Sequence, residues 1–103
     1  MQKNKPNSNN DTEIQQNQLT VSGYVSNLHI ASPVSSNVSV EISDDYGNKR
    51  LENALLTYGI SSSPGNQMLT ALELALVNNK QVKLIIHVHE GTTYIDSVGL
   101  IGE

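Results

Sequence analysis

Cysteine is absent from this 103-residue chain, so neither disulfide staples nor thiol chemistry is open to it. That fits a reducing compartment. Tryptophan and phenylalanine are missing too, and four scattered tyrosines, at 24, 46, 58 and 94, are the only aromatic residues. Stacking platforms for single-stranded nucleic acid are therefore scarce. Six Lys and Arg stand against ten Asp and Glu, a formal charge of −4, and after Leu19 four bases face eight acids. A phosphate backbone is repelled by that balance, which disfavours a nucleic-acid partner. No apolar run approaches the roughly 20 residues of a membrane-spanning helix, and no apolar leader core is visible near Met1. The motifs of common enzyme chemistry are lacking as well: there is no glycine-rich phosphate loop, no Gly-x-Ser-x-Gly elbow and no His-Glu-x-x-His. Asp44 and Asp45, adjacent in a turn, point apart and read as turn formers rather than a catalytic pair. His29 has no acid placed to complete a triad and reads as structural. The expectation is a non-catalytic protein that needs no cofactor.

What is present has a clear order. Residues 1–18 hold one Ile among Asn, Gln, Lys, Ser and Asp, too little apolar surface to offset the entropy of ordering, and read as a polar tail. Residues 19–103 read as one domain. From Leu19 to Ile30, Leu19, Val21, Gly23 and Val25 alternate with Thr20, Ser22, Tyr24 and Ser26, as a strand with one face inward requires, and Gly23 suggests a bend or bulge. Ala31 to Asn37 forms a loop. Val38, Val40 and Ile42 alternate with Ser39, Glu41 and Ser43 before the turn Asp44-Asp45-Tyr46-Gly47-Asn48. Lys49 to Ile60 supplies a return arm, although Leu51, Ala54, Leu55 and Leu56 are equally spaced for a short helix. Pro64 to Asn79 reads as a helix with Ser63 as N-cap and Pro64 at its first position. Val82, Leu84, Ile86 and Val88 make the clearest strand, Glu90-Gly91-Thr92-Thr93 turns it, and Tyr94 to Ile101 returns. Three strands, one helix and two strands is the element order of an OB-type Greek-key barrel, a five-stranded, mainly β fold with its helix between strands 3 and 4.

Three sets of side chains are candidate sites. On the helix, Met68, Leu69, Ala71, Leu72, Ala75 and Leu76 form a stripe to plug the barrel, whereas Leu74 and Val77 lie on a second apolar face suited to another subunit. Ser22 and Tyr24 share the outward face of the first strand, where a hydroxyl and a ring can meet a ligand. With a four-residue turn, His89 faces Tyr94 and His87 faces Asp96, so His87, His89 and Asp96 could hold a divalent metal; a polar strand face bonded to its neighbours is the simpler reading.

The run Ser22-Gly23-Tyr24-Val25-Ser26-Asn27-Leu28-His29-Ile30, followed by helix, strand, turn and the ending Asp96-Ser97-Val98-Gly99-Leu100-Ile101, resembles the B subunits of bacterial AB5 toxins, nearest the subtilase cytotoxin, typhoid toxin and pertussis-like group. The resemblance implies an OB fold, a homopentameric ring with helices lining its pore, and binding of cell-surface glycans, with Ser22 at the position that bonds a sialic acid carboxylate. It implies a secreted protein, whereas the missing cysteines and leader point to the cytoplasm. The alternative is a cytoplasmic OB-fold barrel that binds single-stranded nucleic acid or docks proteins.

Overall fold

The computed structural model describes residues 18–30 and 36–102. The expected tail lies outside the described residues except for Gln18, which already belongs to the first strand. So does most of the loop expected over residues 31–37. Five strands and a helix follow: β1 (Gln18–His29), β2 (Ser39–Ser43), β3 (Lys49–Leu56), α1 (Gly65–Asn78), β4 (Gln81–His89) and β5 (Thr92–Leu100). The strands form one closed sheet in the order β1-β2-β3-β5-β4, antiparallel everywhere except β3 against β5. The segment left open between helix and strand is thus a strand, shorter than the expected Lys49 to Ile60.

β1 is long because it serves two partners. Residues Gln18 to Tyr24 pair with β4, and Tyr24 to His29 pair with β2, so Tyr24 sits at the corner. Gly23 enables that corner without being the bulge: a Cβ there would lie 2.6 Å from the Ser43 carbonyl oxygen and 2.7 Å from an Ile42 methyl. The register slips three residues later, at Ser26, and this returns Leu28 to the inner side against the core. The extra residue is satisfied locally, since the Ser26 hydroxyl donates to the Glu41 carbonyl at 3.2 Å and the Ser43 hydroxyl donates to Ser26 at 2.9 Å.

Inside the closed sheet, Val25, Val40, Ile42, Leu56, Val82, Leu84 and Ile95 are buried, and α1 adds Met68, Leu72 and Ala75. The period-two apolar runs of β2 and β4 dictate this interior, because alternate side chains of a strand share one face. Leu76, expected in the buried helix stripe, is exposed instead, at the margin of the face that contacts the sheet. The helix starts one residue later than expected. Pro64 is the N-cap and Ser63 makes no capping bond, while Gly65 is buried so close to the Gly59 carbonyl that any side chain would overlap it. At the other end Asn79 adopts the left-handed conformation (φ 53°), and the Lys80 N–H returns to the Ala75 carbonyl at 2.9 Å, a glycine-like stop provided by asparagine.

β4 and β5 are joined by two residues, not four. Glu90 and Gly91 both have positive φ, 52° and 82°, the geometry of a tight hairpin turn, so His89 pairs with Thr92 and His87 with Tyr94. The expected pairings of His89 with Tyr94 and His87 with Asp96 are therefore displaced by two residues.

The Gly23 contact yields a direct test. Gly23→Ala should destabilise by about 1–3 kcal/mol through overpacking. Gly99→Ala should cost markedly less, because its added methyl meets only the Lys83 carbonyl oxygen, at an ordinary 3.6 Å. Urea denaturation of both variants checks this, and equal losses would contradict the corner contact.

Candidate functional site

Ser22 and Tyr24 flank buried Gly23 and so share the outer face of β1, as alternation requires. Ser22 is half-buried and stands opposite Lys83 of β4, whereas Tyr24 stands opposite Gln81. Directly paired residues present their side chains on the same side of a sheet. An ammonium group therefore joins the serine hydroxyl on this face, a partner that sequence reading missed because cross-strand pairing depends on register. Tyr24 also lines an open depression of about 340 Å³ with Asp44, Asp45, Gly47 and Asn79. The electrostatics run across the face: carboxylates lie at the Tyr24 end and a cation at the Ser22 end.

Asp44 builds the turn that walls this depression. Its carboxylate accepts the backbone N–H groups of Tyr46 and Asn48, both at 2.9 Å, and the Asn48 side-chain amide at 3.2 Å. The Asn48 backbone bond leads in holding its carboxyl below the usual carboxylate range. Asp44 is thus the turn former expected from the sequence.

The three groups weighed for a metal do not converge. His87 and Asp96 meet, because Asp96 is an extra residue in β5: Ile95 pairs with Ile86 and Ser97 with Ile85, leaving Asp96 bulged toward His87. The His87 Nδ1 lies 2.9 Å from both carboxylate oxygens, and its ring stacks on Tyr94 with centroids 5.4 Å apart. His89 lies farther along β4, with its Nε2 3.7 Å from Glu90. Among the described residues no group of three potential metal-ligating side chains assembles.

Two more donors complete the Asp96 cluster. The Thr57 hydroxyl, just beyond β3, lies 2.5 Å from Oδ1, and the Gln18 amide donates to Oδ2 at 3.3 Å. In a nucleophilic triad the imidazole stands between hydroxyl and acid; here the acid stands between hydroxyl and imidazole, so these three groups do not have the order of a triad. The arrangement fastens β1, β3, β4 and β5 together. Partial burial pushes the Asp96 carboxyl upward, but bonds from Thr57, His87 and Gln18 outweigh it and the net shift is downward. Thr57 was not singled out in the sequence, and no local pattern marks it.

On the helix, Leu74 and Val77 are exposed. Leu74 also lines an apolar groove of about 320 Å³ with Asn78, Lys80, Leu100 and Ile101, joining the helix to the end of β5.

No protein-family model, curated protein or solved structure matches the chain.

Because the native Asp96 carboxyl is shifted below its ordinary value of 3.8, its contribution to stability is complete above that pH and is lost as pH falls through the native value. Asp96→Asn should therefore lower stability by about 1.5–3 kcal/mol at pH 7, the range for hydrogen bonds to a charged group. The gap between variant and parent should narrow below pH 4. Unfolding measured from pH 7 to pH 2 checks this, and a gap independent of pH would contradict it.

Proposed function

We propose that this chain is a non-catalytic OB-type Greek-key barrel that assembles into a ring, most simply of five copies, and binds carbohydrate or a protein partner on its outer surface, as do the AB5 B subunits that its sequence resembles. The sheet order β1-β2-β3-β5-β4, the parallel β3–β5 pairing and the helix between β3 and β4 support the fold reading.

One observation carries assembly: an exposed aliphatic ridge at Val77 stands beside an apolar groove on the same part of the surface. Val77 is 81% exposed and projects from α1 outside the groove, whose walls are Leu74, Leu100 and Ile101. A ridge of one copy fitting the groove of the next makes a head-to-tail contact, and such contacts build rings when their rotation closes. A polar partner would leave these aliphatics wet, and a second copy covers them with surface of the same kind.

The ligand face in this reading is Ser22 with Tyr24. A glycan carboxylate fits best at the Ser22 end, where the hydroxyl and Lys83 supply donors, while the sugar ring turns toward Tyr24 and its hydroxyls meet the acceptors of the Asp44–Asp45 turn. Nucleic acid is disfavoured by placement as well as by net charge. The strand 2–3 face that OB barrels offer to oligonucleotides carries Glu41 and Glu52, with Lys49 held between them.

Multi-angle light scattering tests assembly: a ring of about five chain masses is expected, and Val77→Asp with Leu74→Asp should reduce it to single chains. A parent protein that stays monomeric at every concentration sinks the ring. On a sialoglycan array, Ser22→Ala should weaken binding by roughly tenfold, equivalent to one lost charge-assisted hydrogen bond. Unchanged binding, or no glycan bound by the parent, removes the site.

A further inference from the structure

The outer face of β1, β2 and β3 holds a second depression, of about 360 Å³, whose lining includes neither Ser22 nor Tyr24. Glu41 of the central strand lies between Asn27 of β1, its direct partner, and Glu52 and Asn53 of β3. The register puts Lys49 toward one end, where it pairs with Ser43, and His29 toward the other, where it pairs with Ser39. Both outer strands depart from regular pairing beside Glu41. β1 carries the extra Ser26 next to Asn27, and β3 carries an extra residue between Leu51 and Ala54, with Asn53 at φ 55°. Bulges and left-handed non-glycine residues concentrate where strands re-aim side chains toward a site.

The chemistry of the lining narrows the ligand. The Lys49 ammonium lies 3.2 Å from the Glu41 carboxylate and 2.7 Å from that of Glu52, so both acids are oriented around one tethered cation. Two carboxylates and one ammonium leave a net negative groove, which repels anions. An external cation has to displace an ammonium already in place. Among the described residues no Tyr and no aliphatic residue lines the depression, and the His29 imidazole is its one ring, so a ligand that binds mainly by apolar contact finds little platform there. What remains is a dense set of hydrogen-bonding groups. Carboxylates accept at two oxygens, amides both donate and accept, and lysine and histidine can donate. The side chains of Asn27, Asn53 and His29 bond to no other described residue. Planar acceptor and amide groups a few ångströms apart are complementary to neighbouring hydroxyls, each of which donates once and accepts. The volume falls near the lower end of the roughly 300–1,000 Å³ of small-molecule sites, room for a short saccharide.

We propose that this groove binds a neutral, hydroxyl-rich ligand, a hexopyranose or a short chain of them, with Glu41 and Asn53 bonding adjacent hydroxyls and Asn27 fixing orientation. The proposal rests on the carbohydrate-binding reading of the chain, but on neither the Ser22 face nor ring assembly.

Titrating the ¹⁵N-labelled full chain with methyl glucoside, methyl galactoside and methyl mannoside tests it. With at least one of them, amide shifts should cluster at Asn27, Glu41, Glu52 and Asn53 and persist in Ser22→Ala. They should vanish in Glu41→Gln and require roughly tenfold more sugar in Asn27→Ala, whose side chain is exposed and whose loss leaves the fold intact. Absence of groove shifts with all three sugars overturns the proposal. So does a response to calcium or butylammonium instead that strengthens in Lys49→Met, which marks a cation site. N-acetylneuraminic acid shifting Ser22 and its neighbours while no neutral sugar moves the groove overturns this inference and leaves the proposed function standing.

Discussion

A five-stranded sheet closes only if β3 finds β5, and in this protein that seam is two residue pairs long, Leu55 with Tyr94 and Leu56 with Ile95. The interior side chains of Leu56 and Ile95 are buried there, so an open seam would admit water directly to the core. Side chains therefore reinforce what so short a ladder cannot hold. The Thr57 N–H extends the ladder to the Ile95 carbonyl at 3.1 Å, and its hydroxyl reaches the bulged Asp96. On the other side of β3, Asn37 substitutes for a missing strand: its amide donates to the Leu56 carbonyl at 2.8 Å, and its oxygen accepts the Leu56 N–H at 2.9 Å. Buried backbone groups at a strand end need such partners, because an unpaired one costs a large part of its desolvation free energy.

The outer surfaces follow from closure. With the ring of strands complete, α1 packs Met68, Leu72 and Ala75 into the core, and Leu74 and Val77 are then left outward. Closure also forces β1 to bend from β4 to β2 within one strand. The bend at Gly23 and the slip at Ser26 separate the outer surface of β1 into two regions, Ser22–Tyr24 before the slip and Asn27–His29 after it. The early half of β3 remains paired on one side only, where Lys49, Arg50 and Glu52 place charges that oppose pairing with a stray strand.

How much of this was legible in the chain depends on where the periodicity was intact. The runs Val38-Val40-Ile42 and Val82-Leu84-Ile86 have unbroken period two, and both are strands with those side chains inside. β3 was ambiguous for a physical reason: the extra residue between Leu51 and Ala54 spaces its apolar positions three apart, as a helix does. The β4–β5 turn is hidden from the sequence because it asks glutamate to take positive φ, for which Glu90 carries no special propensity, and Thr92 and Thr93 therefore look like turn rather than strand residues. The shared face of Ser22 and Tyr24 needed only alternation. Lys83 beside Ser22, Thr57 beside Asp96 and the Asn27–Glu41–Asn53 groove required cross-strand register, which no local pattern encodes.

Native-state amide hydrogen exchange of the parent protein tests the central claim most directly. If the β3–β5 seam is part of the cooperative core, the Thr57 amide, which bonds the Ile95 carbonyl across it, will exchange only through global opening, with the same protection as Leu84 and Ile86 in β4. Seam amides exchanging far faster than those of β4, with an opening free energy well below that of global unfolding, would show that the ring of strands stands open in solution and would contradict the account.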